Sequence, residues 1–239
     1  MDAPCGNRWI KPGTAGRIIS MTSPHPLSLT TIPDLQVLQK TFAGLKAIFF
    51  DMDGTLFDSE KYHTEAMLKI GRDFQIRPPH GPQEIHALMH GKADYLVFDI
   101  IKYWNGFPKQ WTVKDFVDTK NKNFLEILAP LTPSDYYPVQ TASLLSEIKN
   151  AGLYVALVTS SEKIVTKELM KLVELDNFFD LVVTRDDCPT HKPDPWPYVN
   201  TMKIAGVRPE ETLIFEDSQV GLTAALASKA HVIKVEWFN

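Results

Sequence analysis

From residue 45 onward the chain alternates short apolar runs with longer stretches whose apolar positions recur every three or four residues. The first run, Ala47-Ile48-Phe49-Phe50, contains no polar position. A strand apolar on both faces belongs inside a parallel sheet covered by helices on each side. The pattern predicts strands over 46–51, 153–158, 180–184, 212–215 and 231–235, with helices over 141–150, 162–174, 195–204 and 219–228 between the later ones. Gly152 is placed to stop the first of those helices. Strands separated by helices of this length imply right-handed crossovers and a Rossmann-like, doubly wound α/β core.

That alternation is interrupted directly after the first strand. Ser59 can cap a helix running to Phe74, in which Tyr62, Ala66, Ile70 and Phe74 share one face. Pro78, Pro79 and Pro82 break the chain, and helices follow over 83–89, 92–104 and 112–128, the last capped by Thr112. Residues 129–139 carry three prolines and read as a connection. The expected organisation is an α/β core built from 45–58 and 139–239, with an inserted helical domain at 59–138. Residues 1–44 form an arm expected to be flexible in part. Pro4, Pro12, Pro24, Pro26 and Pro33 punctuate it without a hydrophobic period, and only 34–43 predicts a short helix. The arm lacks the apolar core of a secretory signal, and a translation start at Met21 would remove much of it.

Composition narrows the class without naming a chemistry. At 239 residues, 44% hydrophobic and 23% charged, the chain has the balance of a soluble globular protein. The net charge of −4 gives no basic footprint for nucleic acid, and no run of about 18 apolar residues would span a membrane. Cys5 and Cys188 make no disulfide framework and fit free thiols in a reducing, cytoplasmic setting. A monomer is the expected state.

The candidate chemical groups all fall at strand ends or in the loops that follow them. Asp51 and Asp53 close the first predicted strand, two residues apart, and Gly54-Thr55 begin a tight loop. Two carboxylates this close favour a bound cation, and Mg²⁺, a hard ion, suits oxygen ligands. Thr159 and Ser160 follow the strand at 153–158, where hydroxyls and backbone amides opening a helix can hold a phosphate. Lys192 stands in HKPDPWPY and could neutralise a phosphoryl group, and Glu216-Asp217 after TLIF would add metal ligands. Each feature alone is commonplace, as a turn, a cap, a loop lysine or an acidic helix start.

Together, FFDMDGTLFDSE, ALVTSS, HKPDPWPY and FEDSQVGLTAA resemble the haloacid dehalogenase superfamily of aspartate-nucleophile phosphotransferases, over about residues 45–235. The resemblance implies that Asp51 is the nucleophile and Asp53 the general acid and base. It implies Mg²⁺ held by the side chains of Asp51 and Asp217 and the backbone carbonyl of Asp53, with Glu216 assisting. Thr159, Ser160 and Lys192 would hold the phosphoryl group. Members that attack carbon lack the second aspartate, so Asp53 points to phosphate chemistry. The insertion resembles a C1-type helical cap, whose side chains choose the substrate: His63 near the hinge, and Gly91 and Lys92 in MHGKADYL. The expected activity is hydrolysis of a small phosphorylated metabolite, such as a sugar phosphate or phosphoglycolate. A β-phosphoglucomutase-like phosphomutase is one alternative, although Lys92, Ala93 and Asp94 stand where such members carry a cap arginine. A catalytically idle binding module on the same fold is the other.

Overall fold

The computed structural model describes residues 26–81, 83–89 and 94–238. Met21, Cys5, the arm up to residue 25, and Gly91 and Lys92 of the cap turn lie outside the described residues. A six-stranded, wholly parallel sheet forms the centre: β1 (Leu27–Leu29), β2 (Ala47–Phe50), β3 (Tyr154–Val158), β4 (Leu181–Val183), β5 (Thr212–Glu216) and β6 (His231–Val235), in the spatial order β1-β6-β5-β2-β3-β4.

Alternation along the strands explains the layers. Ile48, Phe50, Val155, Leu157, Leu213 and Phe215 face one side and pack against α1 (Leu35–Thr41), α6 (Val139–Asn150) and α7 (Lys163–Leu172). There the Phe50 and Phe215 rings stack 4.9 Å apart. Ala47, Phe49, Ala156, Val158 and Ile214 face the other side, against α8 (Trp196–Ala205) and α9 (Gln219–Ala227). All four residues of β2 are fully buried, as an apolar central strand requires.

The chain leaves β2 for β3 and β4 on one side, then returns to β5 on the other. β2 and β5 therefore flank the point where the winding reverses, the place where ligands sit in open α/β sheets. Between β2 and β3 lie α2 (Glu60–Asp73), α3 (Gln83–Met89), α4 (Asp94–Ile101) and α5 (Val113–Leu128). They enclose an apolar cluster of their own, including Met67, Ile70, Val97, Ile101, Trp104 and Phe116. Ala66, Phe124 and Leu128, at the sheet-proximal parts of α2 and α5, join the large core instead.

One element departs from the sequence-based expectation. Leu27–Leu29 is an edge strand on β6, and Leu27, Leu29 and Ile32 pack on the core, so this part of the arm is built into the fold. Three residues are too short to show a period, and the partner strand is some two hundred residues away in sequence.

Candidate active site

The carboxyl ends of β2, β3 and β5 converge on one cleft of about 730 Å³, roofed by α2, α4 and α5. Asp51 leaves β2 with its backbone N–H donating to the Phe215 carbonyl at 3.0 Å, which fixes its position beside β5. The Lys192 ammonium donates to Asp51 Oδ1 at 2.6 Å, to Glu216 Oε1 at 2.5 Å and to the Val158 carbonyl at 2.8 Å. Only 3% of the Lys192 side chain is exposed, so the pairing takes place away from bulk water. Tyr198 lies under the ammonium, its ring centroid 4.9 Å from Nζ, and donates its hydroxyl to Glu216 Oε1 at 2.6 Å.

Asp51, Glu216 and Asp217 each bring a carboxylate oxygen within 4.8 Å of the others. Two glycines make the approach possible. At Gly54, where φ is +77°, a Cβ would sit 2.2 Å from Asp217 Oδ2, and at Gly221 one would sit 2.0 Å from the Glu216 carboxylate. Replacing Gly221 with alanine should therefore displace Glu216 and with it Lys192. We expect a loss of about 2–4 kcal/mol, read as a lowered urea midpoint, because overpacking and a disturbed buried ion pair act together.

The charge balance of the cluster shows what it lacks. Burial pushes the Asp51 carboxyl well above the usual carboxylate range; Lys192 opposes this, and Glu216 and Asp217 reinforce it. Burial, then the neighbouring Glu216 and Glu60, push Asp217 up to about 7. Burial alone would strip the Lys192 proton, but Asp51 and Glu216 hold it on more firmly than in free lysine. Two buried carboxylates, Asp51 and Glu216, thus share one ammonium, with the partly buried Asp217 carboxylate beside them. A hard divalent cation on oxygen ligands fits this donor set and its deficit of positive charge.

Asp53 is held in a separate arrangement. Ser59 Oγ donates to its Oδ1 at 2.6 Å, Ser161 Oγ donates to its Oδ2 at 2.7 Å, and His63 Nε2 lies 3.0 Å from Oδ1. Burial would raise this carboxyl, but the His63 charge and the hydrogen bonds outweigh it and hold Asp53 below the usual range. The His63 ring stacks on Phe124 with centroids 3.9 Å apart and planes nearly parallel, and its Nδ1 is buried without a hydrogen-bond partner among the described residues.

The structure brings Asp51, Asp53, His63, Thr159, Ser160, Lys192 and Asp217 onto the cleft, with Glu216 directly behind. Thr159 is buried, and its Oγ1 accepts the Ser161 N–H at 3.0 Å, shaping the loop that aims Ser161 at Asp53. Ser160 is exposed on the rim. Sequence reasoning did not single out Ser161, Tyr198, Lys120 or the Asp53 contact of Ser59. Ser59 precedes α2 as expected, but its hydroxyl caps no helix amide and goes to Asp53 instead.

A doubly wound sheet that gathers carboxylates, a buried lysine and hydroxyls at its switch point is the frame of an α/β enzyme with a polar cleft. The chain belongs to the haloacid dehalogenase-like hydrolases, whose family description matches residues 48–235. It is 27% identical over 180 residues to phosphoglycolate phosphatase of Aquifex aeolicus, covering 75% of this chain and 79% of that protein. It is 26% identical over 183 residues to β-phosphoglucomutase of Bacillus subtilis, covering 75% and 78%. Among solved structures, CbbY of Rhodobacter sphaeroides in complex with xylulose-1,5-bisphosphate matches with a TM-score of 0.69. The identity is 21%, over 82% of this chain and 88% of that one, a likeness of fold. Among the described residues, no helix is long and apolar enough to cross a membrane.

Proposed function

We propose that this hydrolase is a Mg²⁺-dependent phosphatase acting on a small phosphomonoester of the sugar-phosphate or phosphoglycolate type. The observation that carries the reading is Asp51 held by Lys192 within a three-carboxylate cluster, with Asp53 two residues on and facing the same cleft. Family membership and the phosphatases among the relatives support it.

Asp51 attacks phosphorus and forms an aspartyl-phosphate, while the departing alkoxide takes a proton from Asp53. In the second half, Asp53 accepts a proton from the water that cleaves the aspartyl-phosphate. Ser59, Ser161 and His63 hold Asp53 as a carboxylate, the form the second half needs. The proton it passes to the alkoxide in the first half comes from His63 Nε2, 3.0 Å away, and the proton taken from the attacking water returns to His63 by the same contact. Lys192 keeps Asp51 oriented and offsets charge on the phosphoryl oxygens, with Thr159 and Ser160 at the same loop. Asp51 and Asp217, with the Asp53 backbone carbonyl, would hold Mg²⁺. Glu216 lies in the same cluster, but its oxygens serve Lys192, Tyr198 and Ser218, so its main task is to hold Lys192. Bound there, Mg²⁺ supplies charge neutralisation and a template for the phosphoryl oxygens.

Residues 59–138 act as a cap over the core of 45–58 and 139–239, excluding bulk water and selecting the leaving group. Asn121 Nδ2 in the cap donates to Glu162 Oε2 in the core at 3.0 Å, a contact that closes the cleft from the α5 side.

Purified protein with Mg²⁺ should release inorganic phosphate from phosphomonoesters without a bisphosphate activator. EDTA should abolish the release, and excess Mg²⁺ should restore it and raise the melting temperature of the metal-free protein. Isomerised sugar phosphate in place of free phosphate would make the enzyme a mutase. Metal-independent turnover would remove Mg²⁺ from the account. Asp53→Asn should slow turnover about 10²–10⁴-fold, the usual cost of losing an acid and base group.

A further inference from the structure

The residues just past β6 reach the loop that follows β2. Pairing of β1 with β6 runs to the end of both strands: Leu29 lies opposite Val235, and the Leu29 carbonyl accepts the Glu236 N–H at 2.8 Å. The edge strand of the arm thus fixes the backbone immediately before Trp237. The Trp237 ring is partly buried on the large core, tilted against Phe215 with centroids 5.8 Å apart, and Phe215 stacks in turn on Phe50. Its indole Nε1–H donates to the Thr55 carbonyl at 3.0 Å, across 182 residues of sequence.

Thr55 belongs to the loop that carries Asp51 and Asp53. That loop closes on itself: the Leu56 and Phe57 N–H groups donate to the Met52 carbonyl at 2.9 and 3.1 Å, and Gly54 N–H donates to the Phe57 carbonyl at 2.8 Å. None of these bonds engages the Thr55 carbonyl. Thr55 is fully buried, where a carbonyl without a donor is costly, and among the described residues Trp237 alone donates to it. On its other side, Thr55 Oγ1 donates to Asp217 Oδ1 at 3.3 Å. Gly54 packs so closely on the same carboxylate that a Cβ there would lie 2.2 Å from Oδ2. Gly54 and Thr55 therefore place both oxygens of Asp217, and the same loop carries the Asp53 backbone carbonyl.

We propose that Trp237 is a positioning residue for the cation: by holding the Thr55 peptide it keeps Asp217 and the Asp53 carbonyl aligned to bind Mg²⁺ with little rearrangement. The inference rests on the metal site of the phosphatase reading above. It also gives the β1 edge strand a part in that site, because β1 steadies the residue before Trp237. An indole N–H only donates, so phenylalanine removes this bond while keeping an aromatic ring on Phe215.

The test titrates Mg²⁺ into wild type and Trp237→Phe, both first freed of metal with EDTA, and follows hydrolysis of p-nitrophenyl phosphate and the melting temperature. Losing a group that orients a metal ligand directly costs about 10–100-fold in metal affinity, and Trp237 stands one contact further out. The Mg²⁺ concentration for half-maximal hydrolysis should therefore rise about five- to tenfold in Trp237→Phe, while kcat at saturating Mg²⁺ falls by no more than about threefold. At a fixed, sub-saturating Mg²⁺ concentration, the metal-dependent rise in melting temperature should be smaller than in wild type. Thr55→Val removes the hydroxyl on Asp217, and in that background Trp237→Phe should change the half-saturating Mg²⁺ by less than about twofold, because the two residues act in series. Trp237→Met fills the space, equally lacks a donor, and covers the case in which Trp237→Phe does not fold. An unchanged Mg²⁺ dependence in the folded variants, or effects of Trp237→Phe and Thr55→Val that multiply in full, reduces Trp237 to packing and overturns the inference alone. A wild type with neither Mg²⁺-dependent hydrolysis nor a Mg²⁺-dependent rise in melting temperature overturns the metal site and this inference with it.

Discussion

Asp51→Asn should reduce kcat/KM for any phosphomonoester by at least about 10⁴-fold, or about 5.5 kcal/mol of barrier, because an amide oxygen does not replace a carboxylate nucleophile. The same change should leave the metal-free fold as stable as wild type or more so. Asp51 shares one ammonium with Glu216, beside the Asp217 carboxylate, and burial already pushes it above its ordinary range. Asparagine keeps the shape, removes one of those charges, and leaves Lys192 paired with Glu216 at 2.5 Å. A thermal melt in EDTA alongside the kinetic assay separates the two effects. A dead enzyme with an unchanged or raised melting temperature is the expected pair of results. Near-wild-type turnover would mean that the nucleophile is elsewhere, and a collapsed fold would mean that the cluster is held together differently.

Much of this arrangement is legible along the chain because its signals are local. Ala47–Phe50 is apolar on both faces and ends in Asp51, so strand, burial and candidate nucleophile are read from one stretch. Thr112 makes its capping box with Asp115 three residues later, and Gly152 takes φ +71° just past α6, both set by near neighbours. What stays hidden depends on partners far apart in sequence. Ser161 reaches Asp53 across 108 residues, and its direction is set by the Thr159 turn and by the pairing of β2 with β3. The Lys120–Asp94 pair joins two helices whose relative placement no periodicity records. Ser59 carries an ordinary N-cap signal, yet its hydroxyl is drawn to Asp53, a charge-assisted bond that outcompetes a helix amide. Tyr198 carries no signal of its own within the predicted helix 195–204, and its role appears only when its hydroxyl is found on Glu216, 18 residues away.

Lys192→Met is expected to have the largest effect on stability of any single substitution in the cleft. Methionine fills nearly the same volume, so the change isolates charge from packing. It leaves Asp51 and Glu216 without their counter-ion in a place where the lysine is only 3% exposed and Glu216 is fully buried. Breaking a buried pair in this way costs about 3–5 kcal/mol. For a chain of this size that amounts to a fall of about 10 °C in melting temperature. The contrast with an exposed pair sets the scale. Lys114 and Asp118 are closer than 3 Å but 81% and 60% exposed, and Lys114→Met should move the melt by no more than about 1 °C. Turnover should also fall, by about 10²–10³-fold, through loss of a cation facing the transferring phosphoryl group. Because the deficit is one of charge, Mg²⁺ should recover more stability in Lys192→Met than in wild type, visible as a larger metal-dependent rise in melting temperature. A variant that melts within 2 °C of wild type would show that Asp51 and Glu216 are neutral in the folded protein, with no charge for Lys192 to offset.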